Sequence, residues 1–222
     1  MNLKKSLYEQ VAQMAQQLAS PQRLEMLEYL AQAPRSVEQL AQLTGLSVAN
    51  TSRHLQQLRK VGLVRVERKG KQRIYHLTGD DIVQAMRCLR RSAEHHLAEV
   101  ERILTTYWKQ QGDLPAIDFN TLKRLSEQDR VLLLDVRPPE EYAQGHIPGA
   151  LNVPPDQLET FLAHFDPKDK TVVAYCRGPY CTFSHQAVAA LRQRAIQALR
   201  LEEGLPEWRA EGGAVDVSST NP

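Results

Sequence analysis

A chain of 222 residues, 42% of them hydrophobic, is long enough for two modest cores, and its apolar runs all fall short of a membrane span. Three cysteines, Cys88, Cys176 and Cys181, are too few for a secreted disulfide framework, and MNLKKSLYEQ lacks an apolar signal core, so a soluble cytoplasmic protein with no membrane partner is expected. The net charge of +2 hides an asymmetry: residues 1–112 hold 17 Lys+Arg against 10 Asp+Glu, and residues 113–222 hold 11 against 16. The basic half is the one to read for nucleic acid.

Leu7, Val11, Met14, Ala15 and Leu18 lie along one face of a helix over Leu3 to Leu18. Ser20-Pro21 caps a second helix carrying Leu24, Leu27 and Leu30, which Pro34 ends. Ser36, with Glu38 and Gln39 behind it, starts a third helix over Val37 to Leu43. Gly45 supplies a tight turn, Leu46 is buried, and Ser47 caps a fourth helix running to about Val61. That order spells helix-turn-helix. Val64-Arg65-Val66 and Ile74-Tyr75-His76-Leu77 then flank a Lys69-Gly70-Lys71 tip, which reads as a β-hairpin.

The stretches SPQRLEMLEYL, SVEQLAQLTGLSVANTSRHLQQLRKVGLV and ERKGKQRIYHLT make the first 110 residues resemble the ArsR-type winged helix-turn-helix repressors. The residues support this independently, since Arg53 to Arg73 holds eight Lys+Arg and one acidic residue, enough to neutralise several phosphates. Leu55 and Leu58 face the core, which leaves Ser47, Val48, Asn50, Ser52, Arg53 and Gln56 or Gln57 toward a major groove, with Arg53 and Asn50 the base-reading candidates. His54 either contacts phosphate or packs. Arg68, Lys69, Lys71 and Arg73 would touch phosphate or the minor groove from the wing.

Asp80 to Trp108 reads as one long helix with Ile82, Met86, Leu89, Ala93, Leu97, Val100 and Leu104 in steps of three and four. Its apolar stripe wants a partner, and the resemblance implies the same helix of a second subunit, joined by Leu3 to Leu18, in a homodimer on double-stranded operator DNA. Many relatives of this type bind metals. Here the third helix has no cysteine, and His96 with Glu99 is half a site whose upstream partners are replaced by Val83 and Ala85, so no metal is assigned. Cys88 reads as a packed small side chain. No cofactor is implied.

Gln110 to Ala116, with Gly112 and Pro115, reads as a linker, bounding a first domain over 1–110 and a second over 117–222. Beyond it, short apolar segments alternate with short helices. A strand is expected at Ile117-Asp118, a helix over Asn120 to Glu127, a strand over Val131 to Val136, and a helix or turn over Pro139 to Gln144. A strand over Ala150 to Val153, a helix over Leu158 to Phe165, a strand over Val172 to Tyr175 and a last strand over Ala198 to Glu202 complete the list. This alternation argues for an α/β domain with a parallel sheet and its site at the strand C-termini. Cys176 follows one such end, before a helix with Ala187, Val188 and Leu191 on one face. Backbone N–H groups and a helix start would favour its thiolate. A buried apolar cysteine would look the same locally.

LLDVRPPEEYAQGHIPGALNVP, then YCRGPYC, then GLPEWRAEG make about Leu114 to Val215 resemble the rhodanese family. The resemblance implies that Cys176 carries a persulfide sulfur between a sulfane-sulfur donor and a thiol acceptor, and that Asp135 and Arg137 hold its loop. Arg177 would lower the thiol pKa or attract an anionic donor. Cys181, five residues on, either resolves the persulfide or is a buried residue where loop meets helix. Thr182 stands where the phosphatases of the related fold need arginine, which argues against phosphate-ester chemistry. The expected function is a dimeric repressor whose second domain senses or handles reactive sulfur. The alternatives are a sulfurtransferase with an uncoupled DNA-binding domain, a metal-responsive repressor, and a rhodanese domain serving only in protein interaction.

Overall fold

The computed structural model describes residues 2–112 and 114–218. The chain divides into two compact units, one ending at Met86 and the other starting at Arg87. The expected linker, 111–116, includes residue 113, which lies outside the described residues. The division falls earlier than that linker because Arg87, Arg90 and Trp108 find their partners within the second unit.

In the first unit, α1 (Leu3–Leu18) is followed by α2 (Pro21–Gln32), the two-residue strand β1 (Arg35–Ser36), α3 (Val37–Thr44) and α4 (Val48–Lys60). Ser36 caps α3 reciprocally: it accepts from the Gln39 amide at 3.3 Å, and the Gln39 side chain accepts from the Ser36 amide at 2.8 Å. Gly45 ends α3 at φ 67°, a left-handed conformation open to glycine at little cost, and this turns the chain into α4. β2 (Val64–Lys69) and β3 (Gln72–Leu77) pair antiparallel through a two-residue tip, Gly70-Lys71. β1 adds to β3 antiparallel, giving a three-stranded sheet where only a hairpin was expected. Two residues carry no readable alternation, so nothing in the sequence announced β1. Met26, Leu27, Leu30, Leu40, Leu55, Leu58, Val64 and Tyr75 form the core.

The expected single helix from Asp80 to Trp108 is two: α5 (Asp80–His96) and α6 (Ala98–Gln111). Leu97 breaks the run at φ −106°, ψ 103°. Neither glycine nor proline marks the place, and the apolar spacing continues through it. The break accompanies tertiary contacts on both sides of it, from Arg87, Arg90 and Glu94 before and from Trp108 after.

The second unit continues with β4 (Ala116–Ile117), α7 (Phe119–Glu127), β5 (Val131–Asp135), α8 (Pro139–Gln144), β6 (Leu151–Asn152) and α9 (Leu158–Leu162). β7 (Thr171–Tyr175), α10 (Phe183–Gln193), β8 (Ala198–Leu201) and α11 (Leu205–Ala210) complete it. The five strands are all parallel, in the order β4-β8-β7-β5-β6. Period-two alternation splits the core between the two faces. Val172, Ala174 and Cys176 face Ala187, Val188 and Leu191 of α10, whereas Val173 and Tyr175 face Phe119, Leu122, Leu205 and Trp208. Burial on both faces explains why the central strands read as unbroken apolar runs.

Candidate functional site

Cys176 sits immediately beyond the C-terminus of β7, where its backbone leaves the sheet, and is 3% exposed. Its Sγ lies 3.3 Å from Ser184 Oγ at the start of α10, 3.6 Å from the Gly178 carbonyl oxygen and 3.5 Å from that of Cys181. Burial alone would push the thiol up. Donation from the Cys181 thiol, the Ser184 hydroxyl and the Ser184 and Gly178 amides outweighs it, and the Cys176 pKa falls to about 7. Cys181 moves the opposite way, because its proton is held between the two sulfurs and its side chain is largely buried. All three cysteines are free thiols, and Cys88, expected to be packed, is exposed on α5. The Cys176–Cys181 pair is therefore a thiol of lowered pKa beside one of raised pKa, an arrangement suited to nucleophilic attack by Cys176.

The supporting groups are not all where the residue pattern suggested. Asp135 and Arg137 are both fully buried and paired: Arg137 donates to Asp135 Oδ2 at 2.6 Å and to the Gly145 carbonyl at 2.7 Å. Asn152 ties down both backbone carbonyls, of Asp135 at 3.0 Å and Arg137 at 2.9 Å. This pair anchors the segment after β5 without touching the sulfur. The Arg177 guanidinium is engaged by the fully buried Glu141 of α8, at 2.8 to 3.1 Å. Its charge thus fixes the loop's base.

Gly204, before α11, shows how closely the chain approaches the loop. A Cβ there would stand 2.2 Å from the Arg177 carbonyl oxygen and 2.7 Å from that of Cys176. At the other end of the loop, the Tyr180 hydroxyl donates to Glu94 of α5 at 2.8 Å. α5 also supplies Arg87 and Arg90, which pair with Glu203, Glu207 and Glu211 at the edge of β8 and on or beside α11. Ser184, Glu141, Gly204 and the Glu94–Tyr180 bond were missed from the sequence. Ser184 had a local signal, lying just ahead of the expected helical face of Ala187, Val188 and Leu191; Glu94 and Glu141 had none.

The basic surface is separate chemistry. Ser47 uses its side chain to cap α4, accepting from the Asn50 amide at 3.3 Å. Val48, Asn50, Arg53, Gln56 and Gln57 are exposed, Ser52 and His54 half-buried, and Thr51, Leu55 and Leu58 are buried on the opposite face. His54 is held below its ordinary pKa by burial and then by the charges of Arg23 and Arg53, so it is neutral near pH 7. On the wing, Arg68 stands directly across from Arg73, and both are exposed together with Lys69 and Lys71. A like-charged cross-strand pair costs stability in isolation, and a polyanion would offset that cost. His96 and Glu99 do not come together with further ligands: among the described residues no three His, Cys, Asp or Glu side chains converge, and Glu99 pairs with Arg102 at 2.6 Å.

A winged helix-turn-helix with a basic recognition face, followed by a rhodanese-like α/β domain with a loop cysteine, defines the class. Comparison with known proteins agrees. Residues 20–66 match the bacterial regulatory protein, arsR family, and residues 118–211 match the rhodanese-like domain. The HTH-type transcriptional regulator Rv0324 of Mycobacterium tuberculosis is 39% identical over 213 residues, which is 96% of this chain and 93% of that one. A sulfurtransferase of Allochromatium vinosum is 40% identical over 98 residues, 43% of this chain and 89% of its own. Among solved structures, the homodimeric winged helix-turn-helix DNA-binding domain Mb0332 of Mycobacterium bovis is 34% identical, covering 45% of this chain and 92% of that one with a TM-score of 0.42. The chain belongs to the ArsR-type transcriptional regulators that carry a C-terminal rhodanese-like domain.

Proposed function

We propose that this regulator is a dimeric, operator-binding repressor whose affinity for DNA responds to reactive sulfur loaded on Cys176. The observation that carries the reading is the Cys176 thiol, 3.3 Å from Ser184 Oγ with its pKa lowered to about 7, in a loop whose Tyr180 is bonded to α5. In the sulfur step, the thiolate attacks the outer sulfur of a sulfane donor. A new S–S bond forms on Cys176, and the rest of the donor leaves with the electron pair of the broken S–S bond. The Cys181 thiol then gives its proton to the outer sulfur and attacks the inner one, so that a disulfide forms as the Cys176 persulfide bond breaks and hydrosulfide leaves with its electron pair. Either event changes the sulfur that the Ser184 hydroxyl and the Gly178 and Cys181 carbonyls surround.

α5 is the route by which the loop would bias the DNA-binding unit. Its first turns bury Ile82 and Val83, and Met86 packs on the first unit's core. Arg87, the next residue, begins the run that meets Glu203, Glu211 and, through Glu94, Tyr180. A loop rearrangement therefore acts on the same helix that carries Met86. Dimerisation is supported by α1, which exposes Leu3, Leu7, Tyr8, Val11 and Met14. Ser47, Val48, Asn50, Ser52, Arg53, His54 and Gln57 would face the major groove, and Arg68, Lys69, Lys71 and Arg73 the backbone or minor groove.

Operator binding by the reduced full chain, before and after a polysulfide donor and beside Cys176→Ser, tests the reading. Mass spectrometry of the Cys176–Cys181 peptide reports the adduct. An adduct that changes affinity in the parent and not in Cys176→Ser is expected. Loading without a change in affinity would refute coupling and leave the second reading, a sulfurtransferase tethered to a repressor, which the 40% identity to the Allochromatium sulfurtransferase favours.

A further inference from the structure

The register of the sheet places one charged residue in an otherwise apolar row. β8 pairs with β7 as Val172↔Ala198, Val173↔Leu199 and Ala174↔Arg200. Val172, Ala174 and Cys176 share one face with Ala198, in the cluster under α10. Arg200, two residues beyond Ala198 along β8, extends that same face beside the row that ends at Cys176. Neighbouring strands lie about 4.8 Å apart, so a side chain as long as arginine reaches the next position of the adjoining strand.

Its charge has no paired carboxylate among the described residues. Six other arginines of this unit meet acids directly: Arg137 meets Asp135, Arg177 meets Glu141, Arg87 and Arg90 meet Glu203, Arg102 meets Glu99 and Arg194 meets Glu159. Arg200 donates to the Leu201 carbonyl at 3.3 Å, and its Nε is buried with no hydrogen-bond partner among the described residues. Glu202, two residues on, acts on it through space without forming an ion pair. Trp108 covers the guanidinium, with its ring centroid 5.8 Å from Cζ, and stacks at 3.7 Å on His185 of α10. A half-buried cation without a paired carboxylate is costly. Burial lowers the Arg200 pKa, and the Cys176 sulfur and Glu202 raise it.

Resting on the sulfur reading above, we infer that Arg200 is a positioning residue that supplies the counter-charge for anionic sulfur on Cys176, the role that Arg177, bound to Glu141, does not fill. Arg200 also lines a cavity of about 520 Å³ together with Trp108, Arg91 and the loop residues Pro179 and Tyr180. Glu94, Glu202, Glu203 and Glu211 line it too, so Arg200 and Arg91 are the charges that a small anionic sulfane-sulfur donor such as thiosulfate would pair with there. With that donor, the Cys176–sulfur bond forms as the sulfur–sulfur bond of thiosulfate breaks, and sulfite leaves with the electron pair. The persulfide keeps one negative charge beside Arg200.

The experiment compares the full chain with Arg200→Gln and Arg200→Lys, following Cys176 alkylation by peptide mass spectrometry across pH, and persulfide loading by thiosulfate. The other titratable or charged groups around the loop and Arg200 are Cys181, Arg177 with Glu141, His185 of α10, Glu207 and Glu211 on or beside α11, Glu202 and Glu203 after β8, Arg87, Arg90, Arg91 and Glu94 of α5, and Asp118, and all are kept in each variant. Arg200→Gln is expected to raise the alkylation midpoint by about one pH unit, slowing alkylation near neutral pH about fivefold, while Arg200→Lys stays near the parent. An unchanged midpoint in Arg200→Gln, or an equal rise in Arg200→Lys, would overturn the inference. Should Arg200→Gln lose its cooperative melt, Arg200→Met, which keeps the aliphatic stem, carries the same comparison. Failure of the parent to take sulfur from thiosulfate or polysulfide, with the midpoint still shifted by Arg200→Gln, would refute the sulfur reading and leave Arg200 as the thiolate's counter-charge.

Discussion

Ser184→Ala isolates one donor to the Cys176 sulfur. The hydroxyl lies 3.3 Å from Sγ at a site where both residues are almost fully buried, so water cannot replace it. A hydrogen bond to a charged group contributes about 1.5–3 kcal/mol, and one pKa unit corresponds to about 1.36 kcal/mol. The full bond would thus move the thiol by about one to two units. The Cys181 thiol and the Gly178 and Ser184 amides remain and tighten, which sets the expected shift near the lower figure, from about 7 toward about 8. The thiolate fraction at neutral pH then falls from about one half to about one tenth, and alkylation by iodoacetamide slows about fivefold. Alanine is a better helix former than serine, so α10 itself is not weakened. Initial rates across pH, read as alkylation of the Cys176 peptide, give the midpoint. A midpoint that stays in place or falls would refute the view that Ser184 holds the thiolate.

Asp135→Asn leaves the fully buried Arg137 charge without its counter-charge and should destabilise the second unit by about 3–5 kcal/mol. Both tryptophans, Trp108 and Trp208, lie in that unit, so a fluorescence melt reports it; an unchanged melting temperature would sink the argument. His185 is held down to about 4 by burial and by Arg200. Its folded pKa lies below the unfolded value of about 6.5, so the unfolded chain takes the proton first. The contribution is complete above the unfolded pKa and is lost as pH falls toward 4. His185→Phe keeps a ring against Trp108 and should remove about 1 kcal/mol of that acid-side loss near pH 5, allowing for water access, as urea unfolding at two pH values would show. On the DNA side, Arg53→Ala should cost about 1–3 kcal/mol on operator and relax base preference. Lys71→Ala should weaken all sequences alike and reduce the slope of log affinity against log salt by about one; equal behaviour of the two variants in competition with nonspecific DNA would contradict the separation of roles.

Local signals carried much of this protein. Ser36, Gly45 and Ser47 fix the boundaries of α3 and α4 by satisfying or terminating backbone hydrogen bonds, and such chemistry is readable residue by residue. The apolar runs of β5 and β7, each closing on a charged or reactive residue, marked Asp135, Arg137 and Cys176 and gave the parallel sheet its centre. The two-residue strand β1 and the break at Leu97 were not legible, because neither changes the periodicity of side chains.

What the sequence by itself determined was the nature of each half: helical spacing and caps for one, short strand-helix alternation around a cysteine for the other. Only the tertiary structure decided which charges meet. Arg177 adjoins Cys176 in sequence yet is bound by Glu141, 36 residues earlier. Arg200, well beyond the loop, is set across from Ala174, two residues before Cys176, through strand register. Tyr180 finds Glu94, 86 residues earlier in the chain. Spacing along a chain specifies local hydrogen bonds and the face a side chain takes; the counter-charge of a buried group depends on which distant segments fold against it.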